Sequence, residues 1–189
     1  MSISTFISAR HSQIGEMQHV AHQENARRLD SAIQNVGELR DLNHLKSDFA
    51  ADVKSSFNKL FKSPQEYIQA REYVQLFNED PQKVLYVSSI MGLNISETQE
   101  RTMDMNARVA DADILINSLP ARFEAFVAEK EEAAQDQLKV IAEIQGKDPK
   151  EVEAELEHLG RIPKPINPFE DVMRVGTEMQ NKFAATSRV

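Results

Sequence analysis

Four times along this chain a capping residue is followed by proline and then by residues suited to a first helical turn. The four are Ser63-Pro64-Gln65-Glu66, Asp80-Pro81-Gln82-Lys83, Asp148-Pro149-Lys150-Glu151 and Asn167-Pro168-Phe169-Glu170. A Ser, Asp or Asn side chain accepts from the unsatisfied N–H groups of the first turn, and proline fits at the first helical position because it has no N–H to lose. In three of the four a Glu can reach back to the cap and meets the positive end of the helix dipole. Ser96-Glu97-Thr98-Gln99 reads as a fifth capping box without proline. Gly92 before Leu93 and Gly160 before Arg161 read as left-handed helix stops. Prolines that begin helices leave little room for sheet, and strand alternation appears nowhere. The fold class expected is all-α.

Between these marks the apolar spacing is helical. Leu42, Leu45, Phe49, Val53, Phe57 and Leu60 follow at 3, 4, 4, 4 and 3 residues, a stripe down one face. Leu29, Ile33 and Val36 are in step with it upstream, and Ile3, Ile7, Ile14 and Met17 continue it more loosely. One helix over residues 3–62 would be about 90 Å long at 1.5 Å per residue. Gly15 and Gly37 are the expected places for a bend, since glycine costs roughly 1 kcal/mol relative to alanine in a helix interior. A second seam, Thr102, Met105, Val109, Ala112, Ile116 and Leu119, has the coiled-coil period. Pro120 then either kinks that helix or starts a new one carrying Phe123, Phe126, Val127, Leu138, Ile141 and Ile144. Short helices are expected at 64–78, 81–91 and 149–159. After a polyproline-like linker, Arg161 to Pro168, a last amphipathic helix spans 168–185 through Phe169, Val172, Met173, Met179 and Phe183.

These elements describe an elongated helical bundle with a long N-terminal amphipathic helix and coiled-coil-like packing. They form a single all-helical domain over 1–189, divided into a helical arm (1–62), an acidic helical middle (63–160), and a Pro-rich linker with C-terminal helix (161–189). The division follows the charge. The arm carries 8 basic and 7 acidic side chains, residues 63–119 carry 4 and 9, residues 120–160 carry 5 and 11, and residues 161–189 carry 5 and 3. The two near-neutral or slightly basic ends suit packing against acidic helices, within the chain or between copies.

The chemistry available is narrow. A net charge of −8 is the wrong balance for a phosphate backbone, so no nucleic-acid partner is expected. Without cysteine there is no disulfide framework, cysteine-ligated metal or thiol catalysis. Two Glu-x-x-His pairs, Glu16 with His19 and Glu155 with His158, have the spacing used in carboxylate-bridged dimetal bundles. At about 100° per residue, however, Glu16 and His19 point away from the side of Ile14 and Met17. The second pair sits among Glu151, Glu153 and Glu157 and reads as solvated charge. His11, His19 and His22 read as surface histidines on a polar face. No nucleophile elbow and no Gly-rich phosphate loop is present. No enzyme activity, cofactor or metal is therefore expected.

The run Glu129 to Glu132 reads as a solvated acidic face, and Met91, Met103, Met105, Met173 and Met179 as core filler before binding groove. No membrane span is expected, because the greasiest window, Val84 to Leu93, is too short. The N-terminus lacks the pattern of a secretory signal, so the expected location is cytoplasmic, with export by a route without a cleaved signal equally compatible. A helix of 60 residues is too long for a compact chain of 189 residues, whose radius of gyration would be about 16 Å. The expected function is thus a non-enzymatic, self-assembling structural or interaction protein: the subunit of an oligomer, filament, shell or secretion apparatus, partnered by itself or another helical protein. Its expected packing and self-association residues are Ile3, Ile7, Ile14, Met17, Leu42, Leu45, Phe49, Val53, Phe57, Leu60, Phe169, Met173 and Phe183. The alternative is a monomeric helical-bundle adaptor, chaperone or inhibitor that docks a basic partner through its acidic middle.

Overall fold

The computed structural model describes the backbone of residues 3–186 and the side chains of residues 7–185. Eight α-helices and no strands occur among them, packed as a helical bundle: α1 (Ile3–Leu39), α2 (Leu42–Leu60), α3 (Pro64–Glu79), α4 (Pro81–Ile90), α5 (Ile95–Asn117), α6 (Leu119–Gln145), α7 (Pro149–His158) and α8 (Met173–Thr186). A π-helical turn, Pro168–Val172, leads into α8.

All four cap-and-proline signals start a helix. Ser63 Oγ accepts from Glu66 N at 3.2 Å, Asp80 Oδ1 from Lys83 N at 3.1 Å, and Asp148 Oδ1 from Lys150 N at 2.9 Å. Asn167 Oδ1 accepts from both Phe169 N and Glu170 N. The fifth start lies two residues earlier than its capping box suggests. Asn94 caps α5, accepting from Ser96 N at 2.9 Å, and Thr98 Oγ1 donates back to Asn94 O. The stops at Gly92 and Gly160 hold, with φ of +79° and +66°, and in each the following N–H reaches back five residues, Leu93 to Ser88 O and Arg161 to Leu156 O. That left-handed backbone is open to glycine at no steric cost.

Residues 3–62 are not one helix. The break falls at Arg40-Asp41, where Asp41 Oδ1 accepts from the N–H groups of Asn43 and His44 and caps α2. Gly15 and Gly37 both lie inside α1. Pro120 begins a helix: α5 ends at Asn117, α6 starts at Leu119, and Pro120 sits in its first turn where no intrahelical N–H is lost.

The chain forms two compact units. The first comprises residues up to Leu45 together with Ala128–Ile166, the second Lys46–Val127 together with residues from Asn167 onward. In the first, Ala32, Ile33 and Val36 of α1 close on Leu138 and Ile141 of α6 and on Val152 and Leu156 of α7. The second packs Phe57 and Phe61 of α2 with Tyr67, Ala70 and Val74 of α3 and Val109, Ala112 and Ile116 of α5, with Phe183 of α8 against them. Phe57 meets Tyr67 edge-on at 5.6 Å between ring centroids, and Phe49 lies 5.1 Å from Phe123. α8 approaches the start of α6 so closely that a Cβ on Gly176 would stand 2.8 Å from Pro120 Cα.

Candidate interaction surfaces

In the first unit, α1 is anchored at its C-terminal end. Arg40 is the last residue before the break, and its side chain is wholly buried. Its guanidinium donates to Glu131 through Nε (3.0 Å) and Nη2 (2.7 Å), to Glu153 through Nη2 (2.5 Å), and to Pro163 O through Nη1 (3.0 Å). Glu157 completes the cluster at 3.4 Å. Burial alone would lower the Arg40 pKa, but the hydrogen bonds and charges of Glu131 and Glu153 outweigh it and raise the pKa above the ordinary value. One planar fork thus ties the end of α1 to α6, α7 and the linker after α7, a geometry that lysine cannot reproduce.

The other end of α1 has no such cover. Asn35 donates to Gln137 and Arg40 to Glu131, so α1 and α6 run antiparallel. In that register Gln145, the last residue of α6, stands level with about residue 27 of α1. Every residue from 7 to 28 is exposed, a length of about 33 Å. Ile7, Ile14, Met17 and Val20 are all more than half exposed, Met17 at 71%. Ile7, Ile14 and Ala21 lie on the same side of α1 as the buried Ala32 and Val36, within about 60° at 100° per residue. The face that builds the core of this unit therefore runs on uncovered for six turns.

The structure separates the expected packing residues into three groups. Leu45, Phe49, Val53 and Phe57 are buried, while Leu42, Leu60 and Phe183 are partly covered. Ile7, Ile14, Met17, Phe169 and Met173 are exposed, Phe169 at 85%. The side chain of Ile3 lies outside those described. Phe169 stands off the covered face because the turn at Pro168–Val172 is wider than an α-turn: Val172 N donates to Asn167 O five residues back. Val172, Val175 and Gly176 are the buried residues that follow.

A second exposed apolar surface lies on the second unit, and spacing alone did not single it out. Of sixteen exposed large apolar side chains among the described residues, eight fall between 76 and 103: Leu76, Tyr86, Val87, Ile90, Met91, Leu93, Ile95 and Met103. Leu76, Val87, Met91 and Leu93 line a groove of about 300 Å³ bounded by α3, α4 and α5. Lys83 and Arg101 also line it, and no carboxylate does, although the segment is strongly acidic. The visible signal was the apolar window at Val84 to Leu93, which supplies five of the eight. A larger hollow of about 590 Å³ opens beside Phe57, Tyr67, Ile116 and Phe183, with Lys54 and Lys182 in its lining. Tyr67 on its wall is 1% exposed and donates to Asp113. Burial, and then that bond, push the phenol up to about 12.

The histidine pairs meet no metal-like grouping. Glu16 and His19 are exposed on α1, and His19 Nε2 lies 3.2 Å from Gln23 Nε2. Glu155 pairs with Lys147 at 2.7 Å. Among the described residues no three His, Asp or Glu side chains are placed to share an ion, and no helix is long and apolar enough to cross a membrane. Comparison with protein-family models, with curated proteins and with solved structures gives no match. The class defined by fold and surfaces is a helical bundle with two exposed apolar faces.

Proposed function

We propose that this protein is a non-enzymatic structural subunit that self-assembles through the uncovered part of α1. The observation that carries the reading is the 7–28 segment, an apolar-striped helix exposed along its whole length. Most helical stability in proteins comes from packing an amphipathic face. A second chain can supply that cover. Light scattering coupled to size exclusion, over a range of concentration and salt, tests the reading. The wild type is expected as a multiple of the 21.4 kDa chain, and Ile14→Glu with Met17→Glu as a single chain. A wild type that stays at one chain mass throughout sinks it.

A second reading, a monomeric adaptor, chaperone or inhibitor, is supported by the eight exposed apolar side chains between 76 and 103. Monomeric proteins rarely expose contiguous apolar patches of more than a few hundred Å² without a binding role. It expects a single-chain particle whose partner capture is lost on changing Ile90 and Met91 to Glu.

A further inference from the structure

We propose that two copies of this chain pair through α1 in antiparallel orientation, about a two-fold axis at Met17. The inference rests on the self-association reading and adds the partner, its direction and its register.

Four observations carry it. α1 outruns α6 by about 24 residues, and residues 7–28 have no cover from within their own unit. The exposed stripe of Ile7, Ile14 and Ala21 continues the side of the helix that Ala32 and Val36 bury. Around Met17, the residues within about 60° at 100° per residue include Arg10, Ile14, Val20, Ala21 and Glu24, all exposed. Finally, that face is complementary to itself when reversed. Ile14 and Val20 lie three residues to either side of Met17, and Arg10 and Glu24 seven residues to either side.

The charges choose the direction. An antiparallel pair centred on Met17 sets Arg10 of each chain against Glu24 of the other, with Ile14 against Val20 between them. A parallel pair in register sets Arg10 against Arg10 and Glu24 against Glu24, and like charges across an interface are destabilising. Shifting the antiparallel centre to lie between Ile14 and Met17 instead puts Ile7 against Glu24 and Arg10 against Ala21. The register at Met17 instead sets Ile14 against Val20 and Arg10 against Glu24, with Ala21 facing the uncharged Gln13. Such a contact is isologous, so it closes at a dimer.

Absence of cysteine makes the test direct. Met17→Cys in the full-length chain is expected to form a disulfide-linked dimer on mild oxidation, since residues at the two-fold approach within the reach of a disulfide. Ile7→Cys is expected not to, because the two copies of residue 7 stand about 30 Å apart along the antiparallel pair. Arg10→Glu and Glu24→Arg should each weaken the dimer about tenfold, and the double exchange should restore it. All four positions are exposed, so the variants leave the core intact. Efficient linkage through residue 7, or no rescue by the double exchange, overturns the antiparallel register. Association that survives without linkage at residue 17 overturns the register alone, whereas absence of any association overturns the self-assembly reading with it.

Discussion

The two units solve one problem, fixing a unique packing of helices, with different materials. The core of the first is aliphatic throughout, built from Ala, Val, Leu and Ile. The second holds an aromatic cluster in which Phe57, Phe61, Tyr67 and Phe183 meet at 5.4–6.0 Å between centroids. Of the 9 Phe and 3 Tyr, all but Phe6 lie in the second unit. Rings carry directional preferences that aliphatic side chains lack. The first unit places a buried guanidinium and three carboxylates where the second places rings. The lesson is that geometric definition can come from a planar charged fork as well as from planar rings, provided every donor is satisfied.

The comparison breaks most easily at Arg40. Its replacement by Ala leaves Glu131, Glu153 and Glu157 facing one another, and loss of one partner from a buried ion cluster costs about 3–5 kcal/mol. Urea unfolding followed by far-ultraviolet circular dichroism reads this. A loss below about 1 kcal/mol would show that the aliphatic core defines itself without the fork. Next in size is an alkaline effect belonging to the second unit. Because the Tyr67 phenol is pushed up to about 12 when folded, its contribution is complete below pH 10. It is lost as pH rises from about 10 to about 12, where the unfolded chain gives up the proton first, a change of about 2–3 kcal/mol. Tyr67→Phe should flatten the stability profile over that range. All three tyrosines sit in this unit, so their emission reads it directly. The smallest effect is expected at Gly176→Ala, about 1–3 kcal/mol, because the new methyl meets Pro120 Cα at 2.8 Å and backbone must shift. An unchanged melting curve there would show that α8 has slack against α6.

Most helix starts were legible because they are local. A cap, a proline and a glutamate within four residues carry their own physics, and each such start at Ser63, Asp80, Asp148 and Asn167 stands in the structure. The fifth was displaced because Asn94 and Ser96 compete two residues apart, and asparagine is the equal of serine as a cap. The break after α1 was not legible. Gly37 looked weaker than Arg40, but the penalty for one glycine is about 1 kcal/mol, less than the burial of Ala32, Ile33 and Val36 in the same turns can offset. What decides the site is Asp41 capping the next helix and Arg40 held by residues distant in sequence. The exposed stripe at Ile7, Ile14 and Met17 was visible from spacing. The surface at 76–103 was half visible: its apolar window showed, but not that α3, α4 and α5 would leave it outside.

The Arg40 cluster also sets an order of events during synthesis. Its partners are 91, 113, 117 and 123 residues further along the chain. At a translation rate of roughly 5–20 residues per second, Arg40 leaves the ribosome on the order of 6–25 s before Pro163 does. Through that interval the chain segment for most of the second unit is made, while Ala32, Ile33 and Val36 wait for α6 and α7. The apolar side of α1 beyond residue 28 is therefore bare in the nascent chain until α6 and α7 emerge, and the Arg40 fork is complete only when the linker after α7 arrives.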